Sequence, residues 1–150
     1  MPTKSISTIA GTIAEECIAV RMRILNRAVT RIYDDALRPL GLRVTQMNIL
    51  VAAGKMGIAH PAPMCRNLRL DGSTLSRNVE RMKSKGWLET VSTADGRAQP
   101  FQLTRQGKDL LRSAQTPWRR AQKRARALLG DGFIEVLERT VERVRRDAEG

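Results

Sequence analysis

Between residues 6 and 38 apolar side chains return at Ile13, Cys17, Val20, Ile24, Ala28 and Ile32. Steps of three and four predict one long amphipathic helix, which Pro39 and Gly41 should stop. Thr45 is read as the N-cap of a shorter helix that turns Ile49, Leu50 and Ala53 inward until Gly54 and Gly57. "PAPMCRNLRL" predicts a third helix opened by proline, which suits a first helical turn. Asp71 should cap a fourth, "DGSTLSRNVERMKSKGW", which ends at Gly86 behind Lys83 and Lys85. The helical period then lapses. Leu88, Thr90 and Ser92 alternate against Glu89, Val91 and Thr93, and the chain resumes extended at Phe101, Gln102 and Leu103. This predicts a β-hairpin with a long polar tip. A helix from Thr104 to about Leu129, with a kink at Pro117, and a last one from about Phe133 to Ala148 complete the chain.

The fold class this order implies is mainly α: two short helices on a tight turn followed by a small hairpin make a winged helix-turn-helix. Long N- and C-terminal helices flank it. The expected division is an N-terminal helix region (1–40), a winged helix-turn-helix domain (41–104) and C-terminal helices (105–150), within one folding unit; a DNA partner and the pairing of two chains would give these the roles of dimerisation, DNA binding and dimerisation in turn.

The fourth helix carries the candidate chemistry. At about 100° per residue, Leu75, Val79 and Met82 form one thin apolar stripe, and Ser73, Arg77, Glu80, Arg81 and Ser84 share the other side with Thr74 and Ser76 on the flanks. Short hydroxyls in the first turns suit phosphates or base edges, and the forked guanidinium of Arg77 suits guanine O6 and N7. Glu80 is placed to accept from cytosine N4 or to position Arg81. At the hairpin tip "ADGRAQ", Gly96 supplies turn freedom and Arg97 could enter a minor groove, with Asp95 placed to hold it. The plainer reading of each face is ordinary solvated surface.

Composition points the same way. The 150 residues hold 27 Lys and Arg against 15 Asp and Glu, a formal charge of +12, and such an excess attracts polyanions. Double-stranded DNA is the first candidate partner. A membrane is not expected, since no stretch reaches the roughly 20 apolar residues a spanning helix needs. The N-terminal "MPTKSISTIAGTIAEEC" lacks the pattern of a signal peptide, so a cytoplasmic place is expected. Cys17 and Cys65 are far apart and His60 cannot complete a zinc site with them, so neither metal nor cofactor is expected. No GxSxG, HExxH or GxxxxGK[ST] pattern is present, which argues against an enzyme.

"YDDALRPLGLRVTQMNIL", "LRLDGSTLSRNVERMKSKGWLE", "DGRAQPFQLTRQGKDLL" and "PWRRAQ" resemble the multiple-antibiotic-resistance regulator (MarR) family of bacterial winged-helix transcription factors, in order and over nearly the whole chain. The resemblance implies a homodimer with interdigitated terminal helices on a pseudo-palindromic operator. It assigns Ser73, Thr74, Ser76 and Arg77 to the major groove, and Arg97 with Asp95 to the wing; Arg81, on the same polar face, is a further candidate DNA contact. The sequence departs from the family at Ala98, where a second basic residue often follows the wing arginine, and at "PMCRNL", where a leucine-alanine pair is usual. Apolar stripes at Ile6, Ile9 and Ile13 and at Phe133, Val136, Leu137, Val141 and Val144 would be buried by pairing two chains, or by folding back on their own domain. The run 119–126 reads as a solvated basic face.

The family also implies a ligand-responsive repressor with a small phenolic or lipophilic effector between dimer helices and winged domain. Met22, Ile24, Tyr33, Met47 and Trp118 would line that cleft by approximate position, and each reads equally as core. Other relatives sense oxidants through a cysteine near the first helix, which makes Cys17 the redox candidate. Its stripe predicts a buried thiol, however, Glu15 and Glu16 disfavour the thiolate, and Ala19 stands where one subgroup has a second cysteine. A winged-helix module with RNA or protein partners, or with non-specific affinity for nucleic acid, is a further alternative.

Overall fold

The computed structural model describes residues 4–94, 96–97 and 99–148. Its elements are α1 (Ile6–Glu16), α2 (Ile18–Leu37), a 3-10 turn (Arg38–Leu40), α3 (Val44–Met56), α4 (Pro61–Leu68), α5 (Gly72–Ser84), β1 (Leu88–Thr90), β2 (Phe101–Leu103), α6 (Arg105–Leu129) and α7 (Asp131–Asp147). The mainly helical order with one small antiparallel sheet is the winged helix-turn-helix expected from the apolar pattern.

Two helical readings depart from that expectation. The first predicted helix is two, because Cys17 takes an extended backbone (ψ 110°) between α1 and α2. The Arg21 guanidinium donates to the Glu15 carbonyl across this break. Periodicity specifies which side chains share a face, and a single extended residue leaves that spacing legible while turning the axis. The start of α3 is also displaced: Arg43, not Thr45, is its N-cap. The Val44 N–H donates to Asp34 Oδ1 at 2.8 Å and the Arg43 N–H to Gln46 Oε1 at 3.1 Å. A carboxylate from α2 thus takes the role that the sequence assigns to Thr45.

The core sits among α3, α4, α5, the hairpin and the start of α6. Ile49, Leu50, Met64, Leu75, Met82 and Phe101 are all fully or almost fully buried there, with Leu37 and Leu42 from the α2–α3 corner. Burying each such side chain contributes about 1.5–3 kcal/mol. Strands β1 and β2 pair Leu88 with Leu103 and Thr90 with Phe101. Ala59, ahead of α4, adds an unexpected bridge to Phe101, with backbone bonds of 2.8 and 3.0 Å. The regular ladder stops at Thr90, so the alternation at Val91, Ser92 and Thr93 is not strand.

Glycines fix how the hairpin meets its neighbours. Gly86, at φ +76°, lets α5 turn back into β1. Gly107, in the first turn of α6, lies so close to Trp87 that an added Cβ would be 2.1 Å from its carbonyl oxygen. Thr104 closes the junction: its hydroxyl donates to the Gly86 carbonyl at 2.5 Å and accepts the Gly107 N–H at 3.0 Å. Beyond it Ala114, Pro117, Ala121 and Ala125 form the buried side of α6, and α2 lies along this helix. In contrast, α1 and α7 contain no buried residue. The apolar stripes at the two ends therefore do not fold back to cover themselves.

Candidate nucleic-acid interface

Asp71 organises the start of α5. Its Oδ1 accepts the Thr74 N–H at 2.7 Å and the Ser73 hydroxyl at 2.6 Å, while Oδ2 accepts the Thr74 hydroxyl at 2.8 Å. Hydrogen bonds to the charged form favour it. The Ser73 hydroxyl, then the Thr74 N–H and hydroxyl, and lastly the charge of Arg77 hold the carboxyl down to about 2. Ser73 and Thr74 therefore spend their protons on the cap and offer lone pairs rather than donors outward.

Leu75, Val79 and Met82 are buried, as their spacing demands, and Ser73, Ser76, Arg77, Glu80, Arg81 and Ser84 are exposed on the other side. Asn78 Nδ2 donates to the Thr74 carbonyl at 2.9 Å. Glu80 does not position Arg81: its carboxylate takes Lys83 Nζ at 3.2 Å, one turn on, where an i,i+3 partner is the nearer neighbour. This leaves a face of hydroxyls and long cations whose acids are turned elsewhere.

Sequence reasoning missed the groups that border this face from outside α5. Lys85, the C-cap, donates from Nζ to the Gly41 carbonyl at 3.1 Å and stands 4.6 Å over the Trp87 ring. Arg43 and Thr45 approach from the start of α3 and line the same concavity as Arg77, Arg81 and Ser84. No local signal marks an arginine before a helix as functional; only the concavity that the start of α3 shares with α5 does. In the wing, Gly96 and Arg97 form an exposed turn, and Arg97 keeps a polar or electrostatic interaction of its own. Asp95 and Ala98 lie outside the described residues, so the pairing of Asp95 with Arg97 is not described.

The five residues assigned to an effector cleft differ in burial within the single chain. Met47 is buried in the core, Met22 and Ile24 are exposed on α2, and Trp118 is exposed on α6. Tyr33 is half-buried and its hydroxyl donates to Gln122 Oε1; burial raises its pKa. None of them lines the concavity beside α5, nor the one along α2 formed by Asn26, Thr30, Arg31, Asp34, Asp35 and Arg38. Cys17, which its stripe predicts buried, is half-buried, because the helix breaks there and its neighbours Ile13, Val20 and Ile24 are exposed. In the run 119–126, Arg119, Arg120, Lys123, Arg124 and Arg126 are exposed or partly so, while Ala121 and Ala125 are buried. Among the described residues there is no cluster of potential metal ligands and no helix long and apolar enough to cross a membrane.

No protein-family profile matches the chain. The multiple antibiotic resistance protein MarR of Salmonella typhimurium is 28% identical over 68 residues, 45% of this chain and 47% of that protein. The chain thus spans about half the length of the curated relatives it matches. Among solved structures, the Mycobacterium tuberculosis transcriptional regulator MosR in complex with DNA is 30% identical with a TM-score of 0.76, over 89% of this chain and 97% of that one. A mutant MarR of Escherichia coli, complexed with operator DNA, has a TM-score of 0.78 at 20% identity, over 88% and 96%. The latter likeness carries the fold, and the former carries kinship along nearly the whole chain. With the capped polar helix, the glycine-seated hairpin and these relatives together, the chain belongs to the MarR family of winged helix-turn-helix transcription regulators.

Proposed function

We propose that the chain is a sequence-specific DNA-binding regulator that works as a homodimer on a pseudo-palindromic operator and represses until a small effector releases it. The observation that carries this reading is the division of α5: three buried apolar residues seat it, and Ser76, Arg77 and Arg81 stand exposed, the two arginines outside any ion pair among the described residues. In this reading α5 enters the major groove by its N-terminal half, Arg77 reads guanine, Ser73 and Thr74 accept from base-edge donors, Ser76 approaches the backbone or base edges, and Arg97 with Asp95 serves the minor groove. The DNA complex of the 30% identical relative supports it. The uncovered apolar faces of α1 and α7 support dimerisation through regions 1–40 and 105–150, around a DNA-binding domain at 41–104. Repression by occlusion and the effector rest on family kinship, and a cytoplasmic protein at the nucleoid is the reading that a chromosomal DNA target supports. No catalytic role is assigned.

The test is a titration of the protein against the DNA upstream of its own gene and a scrambled duplex of equal length, at two salt concentrations. A preference of about a thousandfold or more that survives the higher salt and weakens in Arg97→Ala is the expected result. Equal, steeply salt-dependent binding to every duplex, including fragments selected from the whole genome, would overturn it.

A further inference from the structure

We propose that the concavity between the start of α3 and the C-terminal half of α5 is a built phosphate clamp, in which Arg43, Arg81 and Lys85 hold a backbone phosphodiester and fix the register of α5 in the groove. The proposal rests on the DNA-binding reading; it adds Arg43 and Lys85, which that reading leaves unused, and gives Arg81 the backbone rather than the bases. The concavity measures about 630 Å³, and Arg43, Thr45, Arg77, Arg81, Ser84 and Lys85 contribute its polar side chains with Gln46, Thr74 and Asn78. No carboxylate lines it. Among the described residues none of Arg43, Arg77, Arg81 and Lys85 is in an ion pair. Arg43, Arg81 and Lys85 thus bring positive charge to the concavity that no ion pair among the described residues neutralises, and an anion seated there would meet it.

Lys85 shows that the site is set in advance. Its ammonium is fixed by the Gly41 carbonyl at 3.1 Å and by the Trp87 ring at 4.6 Å. An ammonium has three donors, so two remain for an oxyanion. Its long stem is already ordered, which removes much of the entropy that a free surface lysine would lose on binding. Geometry selects the backbone over the bases. A helix of 13 residues is about 20 Å long, whereas the major groove is only about 8.5 Å deep. When the N-terminal turns of α5 touch base edges, Arg81 and Lys85 at its other end lie farther from those bases and nearer the flanking backbone.

The test compares Arg43→Gln, Lys85→Met and Lys85→Arg with the wild type on a duplex selected from a random pool and on a scrambled one, over a salt series. Arg43→Gln and Lys85→Met should weaken binding to both duplexes by the same factor and flatten the plot of log K against log salt by about 0.9 each; Lys85→Arg should keep the slope. A slope unchanged in Arg43→Gln, or a loss confined to the selected duplex, overturns the clamp. A wild type that binds the scrambled duplex as well as the selected one overturns the regulator reading instead, and the slopes still judge the clamp. Wild-type protein that binds no duplex overturns both. A second arm distinguishes free phosphate from the backbone: sodium phosphate is titrated into the DNA-free Trp118→Phe protein at constant ionic strength, with Trp87 emission as readout. No saturable change is expected; a saturable one that Arg43→Gln abolishes would assign the site to a free anion and overturn the backbone assignment.

Discussion

Arg77 and Asp71 make opposite demands on the first turns of α5, and their separation by six positions lets both be met. A guanidinium that reads guanine contributes sequence preference, so Arg77→Ala should lower the ratio of selected to scrambled affinity by about 1–3 kcal/mol, whereas loss of a phosphate contact should leave that ratio unchanged. Paired titrations of the two duplexes measure it. Asp71 is instead a structural anion on a face built for cations, and it is tolerated because three hydrogen bonds engage its two oxygens. Its pKa is lowered from 3.8 to about 2. A depressed carboxyl contributes stability that is fully present above its unfolded value and is lost as pH falls through the folded one. Wild type should therefore outlast Asp71→Ala in urea at pH 7, and the difference in midpoint should shrink between pH 4 and pH 2. An equal difference at both ends would remove the charge from the account. Both residues were legible in the sequence, since a cap and a helix face are local properties. Lys85 and Arg43 were not, because their meaning depends on contacts 44 positions apart, such as that of Lys85 with Gly41.

The elements that could be read ahead were those defined by their own spacing: α5, α6 and α7 lie within a few residues of where periodicity puts them. The elements misread were those decided by a partner. Asp34 reaches from α2 to cap α3, and Ala59 reaches Phe101 to extend the sheet; neither has a signature in the neighbouring residues. The junction of hairpin and α6 belongs to the same class. The glycine of "LTRQG" looks like a poor helix residue until Trp87 is seen against it. With a Cβ 2.1 Å from a backbone oxygen, Gly107→Ala must push α6 away from the hairpin, and overpacking of this kind costs about 1–3 kcal/mol. Gly72, also in a first helical turn, has nothing within 4 Å of its added Cβ. Gly72→Ala should therefore be neutral or stabilising, by up to about 1 kcal/mol. Chemical unfolding of the two variants separates the steric argument from helix propensity, which would favour alanine at both sites. Equal behaviour would show that α6 is free to shift.

At the scale of the molecule, the question is what covers the terminal helices. Ile6, Ile13, Ile18 and Ile24 are 81, 60, 73 and 64% exposed, and Val136 and Val144 are 49 and 55% exposed. These side chains lie on α1, on the first half of α2 and on α7, so the apolar surface is concentrated at the two ends of the chain. Monomeric proteins rarely leave contiguous apolar surface beyond a few hundred Å² open to water, and a two-fold pairing of identical ends buries both sets with one contact type. The same symmetry would present two copies of α5 about 34 Å apart, matching half-sites about 10 bp centre to centre. Assembly and DNA recognition are then one property. Light scattering at micromolar concentration should give the mass of two chains, and Val136→Asp with Val144→Asp should give one, with helical content of the winged domain retained. The doubly substituted chain should lose preference for the paired half-sites and bind a single half-site no more weakly than the wild type binds one. Moving the half-sites apart by about five base pairs, half a helical turn, should cost the wild type its advantage and leave the monomeric variant indifferent. A wild type insensitive to that spacing would mean that the terminal helices are covered by something other than a second copy of the chain.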